Sequence, residues 1–161
     1  MRQFLMPALL WFSILGSGLL AGVYFAFSAF VMTALGRLDQ ATGIAAMNAV
    51  DAAIVRSLFM PVFLGTTLAA ASLAVLGFLR WGEPGATALL AGGVIYVLGM
   101  FVVTVAFNVP LNDALAAVEP SSVEAEELWT RYLRDWTIWN HVRTLASMIA
   151  LAAFVFALCA E

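Results

Sequence analysis

Two stretches far apart in the chain carry residue types that could do chemistry. Residues 107–115 read FNVPLNDAL, with Asn108 and Asn112 on either side of Pro110. Residues 136–143 read WTIWNHVR, where Asn140 and Arg143 stand three apart and so share one face of a helix. Ser147, four residues on, extends that face. A carboxamide offers donors and an acceptor at once, and a guanidinium offers a fork of five donors. Two or three carboxamides beside one guanidinium can hold a planar, oxygen-bearing ligand or its enolate. Tyr24 and Ser28, four apart, stand near the same end of the first apolar segment, and Asn48 and Arg56 are within the following link. Tyr24, Phe25, Trp136 and Trp139 could supply stacking walls. Together these make a small-molecule pocket of ordinary type, mostly apolar with a few convergent polar groups.

Other chemistries find less support. His141 is the only histidine, the one side chain type whose unperturbed titration falls near neutral pH. It adjoins Asn140, so it points about 100° away from the Asn140–Arg143 face. One histidine, one distant cysteine (Cys159) and no acid within the apolar segments make a poor ligand set for a metal or haem. No Ser-His-Asp set, glycine-rich phosphate loop or Walker lysine is present, and the chain has no lysine at all. Simpler readings stay open for each polar residue. Asn108 and Asn112 could cap the third helix while Pro110 stops it. Arg143 could snorkel to lipid phosphates, Tyr24 could be a packing residue, and Trp81, Trp129, Trp136 and Trp139 could form an aromatic belt.

The elements that must position these residues follow from composition. Of 161 residues, 64% are hydrophobic and only 11% charged, with mean hydropathy +1.01. A soluble domain carries roughly 25% charged residues, so too little polar surface exists to cover a water-soluble globule. The bilayer is the solvent that fits. A formal charge of −3 without any basic block excludes nucleic acid as a partner. Stretches free of charge at 3–36, 57–79, 84–112 and 144–160 predict four transmembrane helices near 7–35, 58–80, 86–108 and 137–160. The fold expected is all-α, a single four-helix membrane bundle. The last gap reaches only about 25 Å at 1.5 Å per residue, short of a hydrocarbon core of about 30 Å. The fourth helix must therefore begin near Trp136, which places Asn140, His141 and Arg143 at or just inside the membrane edge.

Glu83-Pro84-Gly85 reads as a tight turn, whereas the other two links are long and helical. Ile44, Met47, Val50, Ile54 and Leu58 recur at helical steps in one. In the other, Ser122 followed by Glu124, Glu126 and Glu127 reads as a solvated helix start that runs on through Tyr132 into the fourth span. Both links then lie on one membrane side, with Arg37, Arg56, Arg131, Arg134 and Arg143 against Arg2 and Arg80 opposite. The positive-inside rule puts the links in the cytoplasm. The N-terminal apolar run is too long for the core of a cleaved leader and reads as a retained first span. Gly18-x-x-x-Gly22 predicts close helix approach, within the chain or in a homo-oligomer, with Gly92, Gly93 and Gly99 alike in the third span. Pro61 suits the first turn of the second span and Pro7 that of the first.

VTVAFNVPLNDAL together with WTIWNHVRTLAS resembles the anthrone oxygenase-like family of small four-helix membrane proteins. GVYFAFSAFVMTAL is similar to that family's first span, so the resemblance covers nearly the whole chain. The positions that match its pattern are Thr104, Asn108, Pro110, Leu111, Asn112, Trp136, Trp139, Asn140 and Arg143; His141 is not among them. The resemblance implies oxidation of a lipophilic anthrone- or quinol-like compound by O2 with no cofactor, in the inner membrane of a bacterium. Arg143 with Asn108 and Asn140 would donate to the substrate oxyanion. Tyr24, Thr104, Asn112, Trp136 and Trp139 would bind substrate, and His141, Tyr24 or hydroxide would be the base. Two other readings stand beside it: a non-catalytic protein that grips a ligand or lipid headgroup, and a structural subunit whose polar cluster only locks helices.

Overall fold

The computed structural model describes residues 2–160, with side chains from Leu5 onward. The Arg2 side chain, counted above among the charges opposite the links, lies outside those described. Helix α1 runs through Arg2–Ala26, widens into a π-helical stretch at Phe27–Val31 and closes with Met32–Leu35. Its apolar span is Leu5–Leu35. Helix α2, Gln40–Val55, is the first link, and the Asp39 carboxylate caps it by accepting from the Thr42 N–H at 3.1 Å. Helix α3 is Phe59–Leu79 and α4 is Ala86–Ala117. Between them the chain turns through Gly82 and Gly85, both at positive φ, which glycine adopts without steric cost. Helix α5, Val123–Ala160, is one continuous helix started by Ser122, whose hydroxyl accepts from the Ala125 N–H at 3.2 Å. Its 38 residues span about 57 Å at 1.5 Å each, so link helix and membrane span are one rod.

The four long helices α1, α3, α4 and α5 are each long and apolar enough to cross a membrane. The fold is a four-helix bundle with two helical links on one side, an integral membrane protein. Side chains such as Leu15, Leu19, Leu68, Phe78 and Phe156 remain more than half exposed on the outer face, as lipid contact requires. Inside, two apolar clusters form. Leu10, Leu20, Leu73, Leu89, Met100 and Phe154 fill the middle of the bundle. Met32, Ile44, Met47, Leu115, Trp129 and Tyr132 tie α2 and the start of α5 to the helix ends. The polar residues singled out above fall at the seam between the two.

Several local expectations are corrected. The third helix does not end at Asn108, and Pro110 does not stop it. Helix α4 is π-helical at Val97–Val102 and Thr104–Asn108, and Pro110 sits in the first turn of the α-helical stretch Val109–Ala117. There the proline gives up an N–H where the helix is changing register, and the wider turn before it relieves the ring's usual clash. Pro7 likewise lies inside α1 rather than in its first turn. Trp129 and Trp136 are buried, not interfacial, because α2 covers them; Trp81 is exposed. Cys159 is exposed.

The Gly18–Gly22 ridge makes no tight contact: a side chain at Gly22 would meet nothing. Close approach is found instead at Gly16 against Thr66, at Gly99 against Ala146 and, backbone against backbone, between α3 and α4. A Cβ at Gly93 would strike the Ala70 carbonyl and the Ala74 backbone nitrogen, and one at Gly77 would strike the backbone of Ala86 and Leu90. These contacts draw the turn-side halves of α3 and α4 together. No comparable packing joins α3 to Thr104–Asn108, and side chains of both line one cavity. Gly93→Leu is expected to destabilise the bundle by about 1–3 kcal/mol through overpacking against backbone. Thermal unfolding in detergent, with Gly22→Leu as the tolerated control, checks this.

Candidate functional site

Arg143 is the centre of the site. It sits on α5 and is 5% exposed. Its Nη2 donates to Asn140 Oδ1 at 2.7 Å, and Nη1 reaches Thr104 Oγ1 at 3.5 Å. The guanidinium carbon lies 4.5 Å from the Tyr24 ring centre and 5.0 Å from that of Trp136, so the cation is held between two aromatic faces. Among the described residues no carboxylate pairs with Arg143, and its Nε is buried without a partner. The snorkelling reading is thereby set aside: the side chain turns into the bundle.

Asn140, fully buried, positions that cation. Its amide donates to the Tyr24 carbonyl at 2.7 Å and to Ser28 Oγ at 2.6 Å, while its oxygen takes the guanidinium. Both amide hydrogens and the carbonyl oxygen thus fix α1, α5 and Arg143 together. Two of the partners come from or adjoin the π-helical stretch Phe27–Val31. The wider turn frees a backbone carbonyl to accept a side-chain donor, which the regular α-helical ladder would not. The second π-helical stretch beside the site, Thr104–Asn108, carries two more of its residues. Nothing in residue type marks either stretch, so the sequence gives no warning of them.

Asn108 and Asn112 do not cap. Asn108 is buried, donates to the Trp136 carbonyl at 3.2 Å, and its own oxygen has no partner. Asn112 Oδ1 accepts from both Tyr132 Oη and Trp136 Nε1 at 2.9 Å, and its amide donates to Asp51 Oδ1 at 2.8 Å. Asp51, on α2, was missed as a site residue. In the sequence it reads only as one step of an amphipathic link helix, and only the packing of α2 over the bundle brings it inward. Burial first, and then the neighbouring Asp113 charge, push the Asp51 carboxyl above its ordinary value; the Asn112 hydrogen bond opposes this.

These side chains surround a cavity of about 350 Å³. Tyr24, Thr104, Asn108, Asn112, Trp136 and Arg143 line it, as does Asp51, with Phe27, Phe59, Phe63 and Phe101 among the apolar walls. The size is at the lower end for a small-molecule site and the lining is of the usual mixed kind. Two sequence candidates lie elsewhere. His141 is exposed on the outer face of α5, and Trp139 stacks on Phe107 with ring centres 3.7 Å apart, away from the cavity. Phe25 also faces outward, and Asn48 reaches the Leu115 carbonyl instead. Among the described residues no group of three or more His, Cys, Asp or Glu gathers as a ligand set.

The comparisons bear on this arrangement. A family model described as Anthrone oxygenase matches residues 55–153, which run from the end of α2 well into α5. Thr104, Asn108, Asn112, Trp136, Asn140 and Arg143 fall within the match, while Tyr24 and Asp51 fall outside it. No curated protein and no solved structure matches the chain. With most of the chain covered by that match, the chain belongs to the anthrone oxygenase family.

Proposed function

We propose that this protein is a membrane-embedded, cofactor-independent oxygenase of lipophilic aromatic substrates, anthrone- or quinol-like. One observation carries the reading: a buried guanidinium, served only by neutral partners, on the wall of a mostly apolar cavity. A buried cation without a counter-ion is costly. It is retained where a ligand supplies the negative charge. An anthrone has an acidic methylene because its enolate is aromatic. Removing that proton places charge on the carbonyl oxygen, and the Arg143 fork is built to meet it. The enolate then passes one electron to O2, and the radical pair combines into a carbon–oxygen bond. Loss of water from the resulting hydroperoxide leaves the quinone. The aromatic walls hold the flat ring system and keep bulk water from the enolate.

The exposed side of the cavity supports access from lipid. Leu64 on α3 and Val105 and Val109 on α4 line it and are each at least 40% exposed. Oxygen uptake by the detergent-solubilised protein with anthrone, and no added metal, tests the activity; an uptake no faster than in detergent alone sinks the reading. Val105→Trp should narrow the mouth and raise KM roughly tenfold, equivalent to about 1.4 kcal/mol, with little change in kcat. Steady-state kinetics separate the two.

We also place the links in the cytoplasm. With Arg143 buried in the site, Arg37, Arg56, Arg131 and Arg134 remain as link-side charges, and they still favour that orientation. In a Cys159→Ala background, a cysteine at position 121 should react only with thiol reagents that cross the membrane.

A further inference from the structure

We propose that Asp51 is the proton acceptor of the site, taking the C–H proton of the bound substrate while Arg143 holds the oxygen on which the electron pair settles. The inference rests on the oxygenase reading above and names the base that reading needs. Among the residues that line the cavity, Asp51 and Arg143 are the only two that carry charge. They arrive from different elements, α2 and α5, one an acceptor and one a donor. Proton abstraction beside a carbonyl needs both at once, a base for the hydrogen and donors for the oxygen.

The carboxylate is held as a catalytic base must be. Asn112 donates to Oδ1 at 2.8 Å, and Asn112 is itself fixed by Tyr132 and Trp136, each donating to its oxygen at 2.9 Å. No second hydrogen bond or ion pair to the carboxylate is found among the described residues, and Asp51 lines the cavity. The competing bases are less well placed. His141 is exposed and off the cavity. Tyr24 lines the cavity, but its hydroxyl donates to Met100 Sδ at 3.5 Å and it faces Arg143 with its ring, not its oxygen. In the step itself one C–H bond breaks, its proton forms an O–H bond on Asp51, and the electron pair delocalises into the substrate carbonyl. Coupling of the enolate with O2 leaves a peroxide anion, which takes that proton back from Asp51 to become the hydroperoxide. The second C–H proton then leaves with the hydroxide of the broken O–O bond as water.

Partial burial of Asp51 also helps, because a carboxyl raised above its ordinary value is a stronger base than a solvated one. Asp113 on α4, Tyr132 and Arg143 on α5 and Tyr24 on α1 are the titratable or charged groups that face it or share its cavity. Helix α3 contributes none to the cavity wall. Since the base acts ionised, kcat/KM should fall as pH drops through the Asp51 value, at a higher pH than for a solvated aspartate.

The test is Asp51→Asn in the full-length protein in detergent, with anthrone as probe. Asparagine still accepts from Asn112, so a strut between α2 and α4 survives while basicity is lost. Three readouts are compared with wild type: quenching of tryptophan fluorescence for binding, thermal unfolding, and anaerobic exchange of the anthrone methylene hydrogens with deuterated water. We expect binding within about threefold and an unchanged melting profile, but exchange and oxygen uptake reduced about 100-fold, within the range for a general base. Asp51→Glu should recover part of both, and the acid limb of the pH profile should vanish in Asp51→Asn. Exchange at the wild-type rate in Asp51→Asn overturns the role while the oxygenase reading stands. A wild-type protein that binds anthrone yet neither exchanges nor oxidises it overturns both.

Discussion

Arg143→Met is expected to lower turnover of an anthrone by about 10³-fold while leaving the protein as stable as wild type, or more so. Two effects combine. The guanidinium supplies the donors that meet the developing oxyanion, and loss of even one such donor typically costs 10²–10³ in kcat. Its burial, at 5% exposure with no carboxylate partner among the described residues, is meanwhile a burden on the fold. Methionine fills the space between the Tyr24 and Trp136 rings and makes favourable sulfur–aromatic contacts there, which together with relief of the buried charge offset the donor lost by Asn140 Oδ1. Stability and activity therefore move in opposite directions, as at sites kept for function. Oxygen uptake and thermal unfolding on one preparation check this together. A large fall in melting temperature with activity intact would make Arg143 a helix lock instead. Arg143→Lys should stay close to the methionine variant in activity, since an ammonium keeps the charge but loses the planar fork and the stack on both rings.

The second large effect is at Asn140. Asn140→Leu should destabilise the bundle by about 3 kcal/mol, because it takes the side-chain donor from the Tyr24 carbonyl and Ser28 Oγ and leaves the buried guanidinium only the long contact to Thr104. At 2–4 °C per kcal/mol for a chain of this size, the melting temperature falls by roughly 10 °C. Turnover of the surviving folded protein falls as well, since Arg143 is no longer aimed. Asn140→Asp separates the two roles. It retains an acceptor for Arg143 and converts it into a counter-ion, so the fold tolerates it better than leucine. It also neutralises the charge that the substrate oxyanion would meet, and oxygen uptake should drop with it. Melting curves and uptake rates of the two variants should therefore rank differently; identical ranking would mean that Asn140 acts on stability alone.

Some features were legible because they depend on the solvent or on short-range spacing. A chain with 64% hydrophobic and 11% charged residues can satisfy its surface only in lipid, and an uncharged stretch of span length must be helical there to pair its own backbone. The Asn140–Arg143 pairing was legible for the same kind of reason, a three-residue step on one helix. Ser122 as a helix start rested on the same local chemistry. The ordered appearance of FNVPLNDAL and WTIWNHVR carried the resemblance to the family.

What the sequence by itself determined, then, is the solvent, the number of spans and which polar residues share a helix face. Each follows from composition or from the 3.6-residue period, which one segment carries within itself. The tertiary structure alone decided which faces meet. It sent His141 outward and Trp139 onto Phe107, and it turned Asn108 and Asn112 from caps into clamps between helices. It widened α1 and α4 into π-helical turns at the site, and it carried Asp51 from a surface helix to the cavity wall. The physical reason is that a polar group in an apolar bundle takes whichever partner packing brings within hydrogen-bond reach, and those partners stand as many as 116 residues away along the chain.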